Sequence, residues 1–390
     1  MIDSRTQSKR FHNDQDISLA KFKALCEQQP NKTDYPLAAS IEKQIPIYSA
    51  DILREAIEQG NQLAYQSEMA RVLDTGPGVL VIKRAYDDTV TVDQMSDVFQ
   101  QLLSAQRHLK AADHFATAGK NGRIWNVFEK SARANPLAFI HYYKNPVLQL
   151  AAQAWLGPHY QITAQLNIVY PGGTAQQPHR DYHLGFQENQ EISRYPTHVH
   201  NMSRYLTLQG GIAHSDMPIE SGPTQLLPFS QQYELGYLAW RDPAFIEYFE
   251  QNKVQLPLTK GDAIFFNPAL FHAAGDNNSE DIERSVNLLQ ISSAFAKPME
   301  TVDSYAISQL TYSHITHLLQ KNELSPAQLD ALISACCDGY SFPSNLDTDP
   351  PAGSMAPQTA AQLTQQALTE KWPIQQYLTA LTQHKERRLS

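Results

Sequence analysis

ITAQLNIVYPGG, residues 162–173, is a run of apolar and β-branched side chains closed by a Pro-Gly-Gly turn. Four further runs of the same kind follow: RYLTLQGGIA (204–213), TQLLPF (224–229), DAIFFN (262–267) and SVNLLQIS (285–292). Turn sequences separate them, among them ESGP at 220–223 and KGD at 260–262. Short strands punctuated in this way predict a mainly β core, a sandwich or barrel of jelly-roll type, rather than a parallel sheet built from βαβ units.

The flanks read as helical. From Ala50 to Leu73 apolar residues recur three or four apart, which predicts helix. TGPGVLVIKRAY then reads as a turn feeding a buried strand at Val79–Ile82, and another helix is expected at about Val92–Gln106. After Pro298 the pattern is helical again, interrupted by the Pro/Gly/Ser-rich stretch SFPSNLDTDPPAGSMAP (341–357). The expected organisation is a polar, loosely held N-terminal arm over 1–49 with one short helix, a core domain over 50–298 that includes N-terminal helices, and a helical extension over 299–390.

Bulk properties narrow the function. The 390 residues are 42% hydrophobic and 18% charged, with a net charge of −9. That balance argues against a broad nucleic-acid-binding face. The three cysteines, Cys26 and the neighbouring Cys336 and Cys337, have neither the number nor the spacing of a disulfide framework or a zinc cluster. No segment approaches membrane-spanning length, and the opening residues lack an apolar signal core. A cytoplasmic protein without a membrane or nucleic-acid partner is expected.

Chemistry concentrates just after the first core strand, in QQPHRDYHLGF (176–186). His179-Arg180-Asp181 spells the catalytic triplet of protein kinases, but the asparagine that chemistry needs five residues later is Phe186 here, and no DFG follows. A metal site fits better. Residues two apart on a strand face the same way, about 6.6 Å apart, so His179 and Asp181 offer an imidazole and a carboxylate to one ion. A mononuclear non-haem iron(II) site needs one more histidine, from a distant strand. HxD alone is weak: it also occurs at His12-Asn13-Asp14, in the polar arm, and at His214-Ser215-Asp216, where a solvated loop cap is expected. Downstream, FFNPALFHAAGDNNSEDIERSVNLLQIS places His272 after one strand and Arg284 at the start of the next. A guanidinium is a rigid two-pronged donor suited to a carboxylate deep in a pocket.

HxD, a later His and an Arg twelve residues beyond it resemble the iron(II)/2-oxoglutarate-dependent oxygenases, and among them the phytanoyl-CoA dioxygenase family. QQPHRDYH is similar to that family's first ligand motif, ESGPTQLLPFSQ (220–231) to its loop and strand between the ligand motifs, and VLDTGPGVLVIKRAY to its opening strand. The resemblance covers roughly residues 50–295. It implies a double-stranded β-helix (the jelly-roll or cupin-like fold) with N- and C-terminal helical extensions. It also implies Fe(II) held by His179, Asp181 and His272, and 2-oxoglutarate bound through Arg284, with O2 as the oxidant. The reaction implied is hydroxylation of a small molecule, Asp181 standing where related halogenases lack the carboxylate.

Three departures are visible: Arg180 where glutamine is common, Gln231 where histidine is frequent, and Ala274 where a hydroxyl residue often assists the co-substrate. Gln165 and Asn167 alternate with apolar neighbours and are expected in the pocket, as co-substrate contacts, the alternative being an exposed polar strand face. His183 has the strand parity of His179 and Asp181 and is a candidate for the substrate side. The segment 186–204, with Arg194, His198, His200 and Arg204, is long enough to cover the pocket. Two other classes stay open: a jelly-roll metalloenzyme that uses no 2-oxo acid, and a non-catalytic binding member of the fold.

Overall fold

The computed structural model describes residues 9–106, 121–351 and 353–390. Ten strands are defined: β1 (Ser40–Glu42), β2 (Ile45–Ser49), β3 (Val79–Lys83), β4 (Asn121–Ile124), β5 (Gln161–Val169), β6 (Thr207–Ala213), β7 (Gln225–Leu227), β8 (Ala263–Phe266), β9 (Phe271–Ala273) and β10 (Arg284–Ser292). Eight of them form one large sheet in the order β1-β2-β3-β8-β6-β10-β5-β4. Every pairing in it is antiparallel except β2 with β3.

β7 and β9 form a small second sheet, which single bridges extend on both sides, His179 to His272 and Leu226 to Val254. From β5 onward the chain therefore alternates between two layers. β5, β6, β8 and β10 lie in the large sheet, and the segment at His179, β7, the segment at Val254 and β9 lie in the small one. This is a double-stranded β-helix, as the resemblance implied.

Strand parity explains the layering. Successive side chains on a strand point to opposite faces. On β5, Ile162, Ala164, Leu166 and Ile168 join the apolar layer shared with the helices, while Gln165 and Asn167 face the barrel interior. On β8, Ala263 and Phe265 face the helices, and Ile264 and Phe266 face inward. The helices Pro136–Tyr143 and Pro146–Leu156 cover the outer face. Each starts on an asparagine cap, Asn135 accepting from the Ala138 N–H and Asn145 from the Val147 N–H, with proline in the first turn. Phe139 and Tyr142 are fully buried; hiding a side chain such as Phe139 stabilises by roughly 1.5–3 kcal/mol.

The N-terminal segment departs from expectation. Residues 1–8 of the expected arm lie outside the described residues, but the helix Leu19–Cys26 is firmly docked. Its Phe22 is fully buried among Tyr233, Phe245, Tyr248 and Phe271. Ile45, Ile47 and Tyr48 of β2 are buried within the large sheet, so this stretch is not loosely held. The helical pattern read over Ala50 to Leu73 forms two helices, Ala50–Glu58 and Gln62–Asp74. They part at Gly60, whose φ of +72° is the left-handed conformation that ends helices.

At the other end, the helices Ser304–Gln320, Pro326–Cys336, Ala360–Thr369 and Ile374–Arg387 join the same apolar layer as the large sheet. Tyr312 and Tyr377 stack there at 3.9 Å between ring centroids. Cys26, Cys336 and Cys337 are free and buried. Among the described residues no helix is long and apolar enough to cross a membrane.

Candidate metal centre

Backbone hydrogen bonds bring the two histidines together. The His179 N–H donates to the His272 carbonyl at 3.0 Å and the His272 N–H returns the bond at 3.2 Å. The Asp181 N–H donates to the Pro268 carbonyl at 2.9 Å. This ties the HxD segment to the turn before β9 and leaves the imidazole centroids 4.5 Å apart. Asp181 lies between them, Oδ1 at 3.4 Å from His179 Nε2 and Oδ2 at 3.4 Å from His272 Nε2. Donor atoms from all three residues lie within 4.8 Å of one another, and among the described residues this is the one such grouping.

The donor set fits a divalent ion. Each imidazole uses Nδ1 on a backbone carbonyl, His179 on Gln177 at 2.9 Å and His272 on Leu270 at 2.8 Å. Those bonds put the proton on Nδ1 and leave the Nε2 lone pair facing the centre. Burial pushes the His179 pKa below the ordinary imidazole value, although Asp181 pulls the other way. Burial opposes ionisation of Asp181, but attraction to the imidazoles in their protonated form, together with the Gln209 amide, outweighs it and holds the carboxyl well below the usual carboxylate range. Ligands about 2.1 Å from one ion at right angles stand about 3 Å apart, close to the His–Asp separations here.

The centre opens on a cavity of about 680 Å³. Gln165, Asn167 and Arg284 line it and are all buried, so the exposed-strand alternative for the two amides is overturned. Arg284 is 3% exposed, its Nη1 donating to the Gly275 carbonyl at 3.4 Å, and it has no carboxylate partner among the described residues. Burial lowers its pKa to about 10, which leaves it charged at neutral pH. A buried cation without a counter-charge is costly, and a ligand anion relieves that cost. Ala274 lines the same cavity without a hydroxyl, but Thr224 lines it too. Thr224 precedes the registered pair Gln225–Ala273, which sets it beside Ala274.

Other expectations fail for identifiable reasons. His214 is no solvated cap. It is 5% exposed, with Ser96 Oγ at 2.8 Å from Nδ1 and the Tyr142 hydroxyl at 2.7 Å from Nε2, and burial pushes its pKa down to about 3. Arg180, between the two ligands, points the opposite way. Its Nη2 donates to the Ser230 and Tyr233 carbonyls at 2.6 and 2.9 Å, and the guanidinium lies between the Tyr237 and Phe271 rings. There it locks the HxD segment onto the small sheet.

His183 stacks on Tyr182 and is absent from the cavity wall, because strand geometry ends with the isolated bridge at His179 and the chain turns at Tyr182. The cationic residues of 186–204 also turn away. Arg194 pairs with Glu191, His200 faces the Ile192 and Tyr195 carbonyls, and Arg204 donates to the Gln231 carbonyl. From that segment only Phe186 reaches the cavity, whose wall Trp240 also lines. Gln231 braces the N-terminal loop instead, donating to the Gly76 carbonyl at 2.8 Å.

Three further cavity residues were not singled out from the sequence. Arg123 and Trp125 come from β4 and just beyond it, the guanidinium 5.0 Å over the indole. Gln209 on β6 donates an amide N–H to Asp181 Oδ2. A lone glutamine inside the otherwise apolar run LTLQGGIA, at the parity opposite Leu208, was the available signal.

The model of the phytanoyl-CoA dioxygenase family matches residues 76–286. Dioxygenase cdmD of Talaromyces verruculosus is 26% identical over 161 residues, 41% of this chain and 48% of that protein. Dioxygenase trt7 of Aspergillus terreus is 28% identical over 241 residues, 62% of this chain and 78% of that protein. The chain thus spans about half the length of the first relative and more of the second. Among solved structures, the non-haem alpha-ketoglutarate-dependent carbocyclase SnoK from nogalamycin biosynthesis is 16% identical with a TM-score of 0.43, over 60% of this chain and 92% of that one.

Proposed function

Because this chain belongs to the phytanoyl-CoA dioxygenase family, we propose that it is an Fe(II)- and 2-oxoglutarate-dependent dioxygenase that hydroxylates a small-molecule substrate. In the balanced reaction, substrate, 2-oxoglutarate and O2 give the alcohol, succinate and CO2. The observation that carries this reading is the convergence of His179, Asp181 and His272 in one cavity with the uncompensated Arg284.

Each residue has a definable task. His179 and His272 present Nε2 because the Gln177 and Leu270 carbonyls hold their Nδ1 protons. Asp181 supplies the anionic oxygen. Held by these three, Fe(II) supplies the activation of O2, which side chains alone cannot. Arg284 takes the distal carboxylate of 2-oxoglutarate through paired N–H donors, and Thr224 supplies a hydroxyl to the same cavity wall. Gln165 and Asn167 offer amide donors and acceptors to the remainder of the co-substrate. Phe186, Trp240 and Met299 add apolar surface to the cavity wall, which helps exclude water once a substrate is seated. The cavity volume suits a co-substrate and a small organic molecule together.

Succinate formation tests the proposal. Purified protein with Fe(II), 2-oxoglutarate and O2 is expected to release succinate slowly without substrate and faster with one. Succinate release that is independent of Fe(II) and unchanged in Asp181→Ala would refute the assignment.

A further inference from the structure

On the reading of the metal centre above, we propose that Gln209 is a positioning residue that sets which oxygen of Asp181 faces the ion. The two imidazoles each have a backbone carbonyl fixing their orientation. Asp181 has no such backbone partner for its carboxylate. With both imidazole protons held on Nδ1, the one side chain among the described residues that donates a hydrogen bond to it is Gln209, through Nε2 to Oδ2.

Chemistry determines the direction of this bond. An ionised carboxylate only accepts hydrogen bonds, so the amide must turn its NH2 group toward Asp181 and its carbonyl away. Each oxygen lies 3.4 Å from one imidazole Nε2, Oδ1 from His179 and Oδ2 from His272, so the Gln209 bond to Oδ2 is what distinguishes them and leaves Oδ1 without a donor among the described residues. The glutamine is neutral, so it orients Asp181 without cancelling the charge that a cation needs; lysine or arginine here would cancel it.

Rigidity comes from the strand. β6 is paired on both sides, with Gln209 opposite Phe266 on β8 and Gln290 on β10, and the residue is 4% exposed. Asp181 itself lies past the isolated bridge at His179, outside any strand. Gln209 therefore transfers the fixed geometry of the large sheet to a ligand on a less regular segment. Its Oε1 is buried without a hydrogen-bond partner. A buried carbonyl left unsatisfied asks for a reason, and an amide committed to Asp181 provides one.

The test compares Fe(II) affinity of wild-type, Gln209→Met and Gln209→Asn apoproteins by anaerobic titration against a competing chelator, with thermal unfolding of each apoprotein alongside. Losing the partner of a metal ligand is expected to weaken Fe(II) binding by about 10–100-fold while the apoprotein unfolds at an undiminished temperature. Gln209→Asn, which keeps the amide but loses reach, is expected to weaken binding as well, and serves if the methionine variant does not fold. Fe(II) affinity equal to wild type in a folded variant, or a lowered unfolding temperature with intact affinity, overturns the inference. Wild-type protein that binds no Fe(II) overturns the metal-centre reading itself, and this inference with it.

Discussion

Replacing Arg284 separates the proposed enzyme from a jelly-roll metalloprotein that ignores 2-oxo acids. Arg284 is 3% exposed, and among the described residues the one hydrogen bond of its side chain is a long 3.4 Å contact to the Gly275 carbonyl. Its guanidinium therefore contributes little to the unliganded fold, where burying it is a cost. With 2-oxoglutarate bound it becomes half of a buried, hydrogen-bonded charge pair. Removing one partner of such a pair costs about 2–5 kcal/mol, which is about 30- to 4000-fold in affinity at 1.4 kcal/mol per tenfold. Arg284→Met is thus expected to weaken 2-oxoglutarate binding by that factor while Fe(II) affinity and apoprotein stability hold or improve. Arg284→Lys should fall between, since an ammonium is a point charge without the fork. The assay is calorimetric titration of 2-oxoglutarate into the Fe(II) protein under anaerobic conditions. Unchanged affinity in Arg284→Met, or a loss no larger than that of a distant surface substitution, refutes the reasoning.

Alanine at His179, Asp181 or His272 is expected to abolish Fe(II)-dependent succinate release. His214→Ala should leave the iron site intact but cost about 1–3 kcal/mol in urea unfolding, because Ser96 and Tyr142 lose a shared partner. Phe22→Ala should lower unfolding free energy by about 3–5 kcal/mol without changing Fe(II) affinity; an unaffected urea midpoint would mean the first helix is not docked as described. His214 also makes stability depend on pH. Its folded pKa of about 3 lies below the ordinary 6.5, so its contribution is complete above about pH 6.5 and is lost as pH falls toward 3. The slope is at most ~1.4 kcal/mol per unit. Urea unfolding at pH 7 and pH 5 should show a larger loss for wild type than for His214→Gln, and equal losses would contradict the buried, neutral histidine.

The parts of this molecule legible in the sequence are those encoded by local pattern. β5, β6, β7, β8 and β10 announce themselves through apolar runs set off by Gly/Pro turns, whereas β9, only Phe271–Ala273, was missed and His272 lies within it rather than after a strand. His179, Asp181, His272 and Arg284 were picked out by their order and spacing along these runs, although Asp181 itself lies outside any strand. Features that depend on distant partners were hidden. HSD at 214–216 looks like a polar turn because the groups that bury His214, Ser96 and Tyr142, lie 118 and 72 residues away. Pro46 disguised β2, since proline is rare inside sheets; here it pairs with Ile41 of the edge strand β1. β4, NGRI, carries a glycine and two polar residues, and it is a strand because β5 pairs with it. Arg180 was visible as a departure, but its role under the small sheet depends on the Ser230 and Tyr233 carbonyls and on Gly236, where a Cβ would lie 1.9 Å from the guanidinium carbon.

The central claim is that His179, Asp181 and His272 hold Fe(II) in the same cavity where Arg284 receives 2-oxoglutarate. Anaerobic titration of apoprotein with Fe(II), then with 2-oxoglutarate, tests it through the visible metal-to-ligand charge-transfer absorption. A band that needs both additions, is absent in His179→Ala and persists in His214→Ala is the predicted result. Fe(II) binding that never yields the band, or a band undiminished in His179→Ala, would contradict the account.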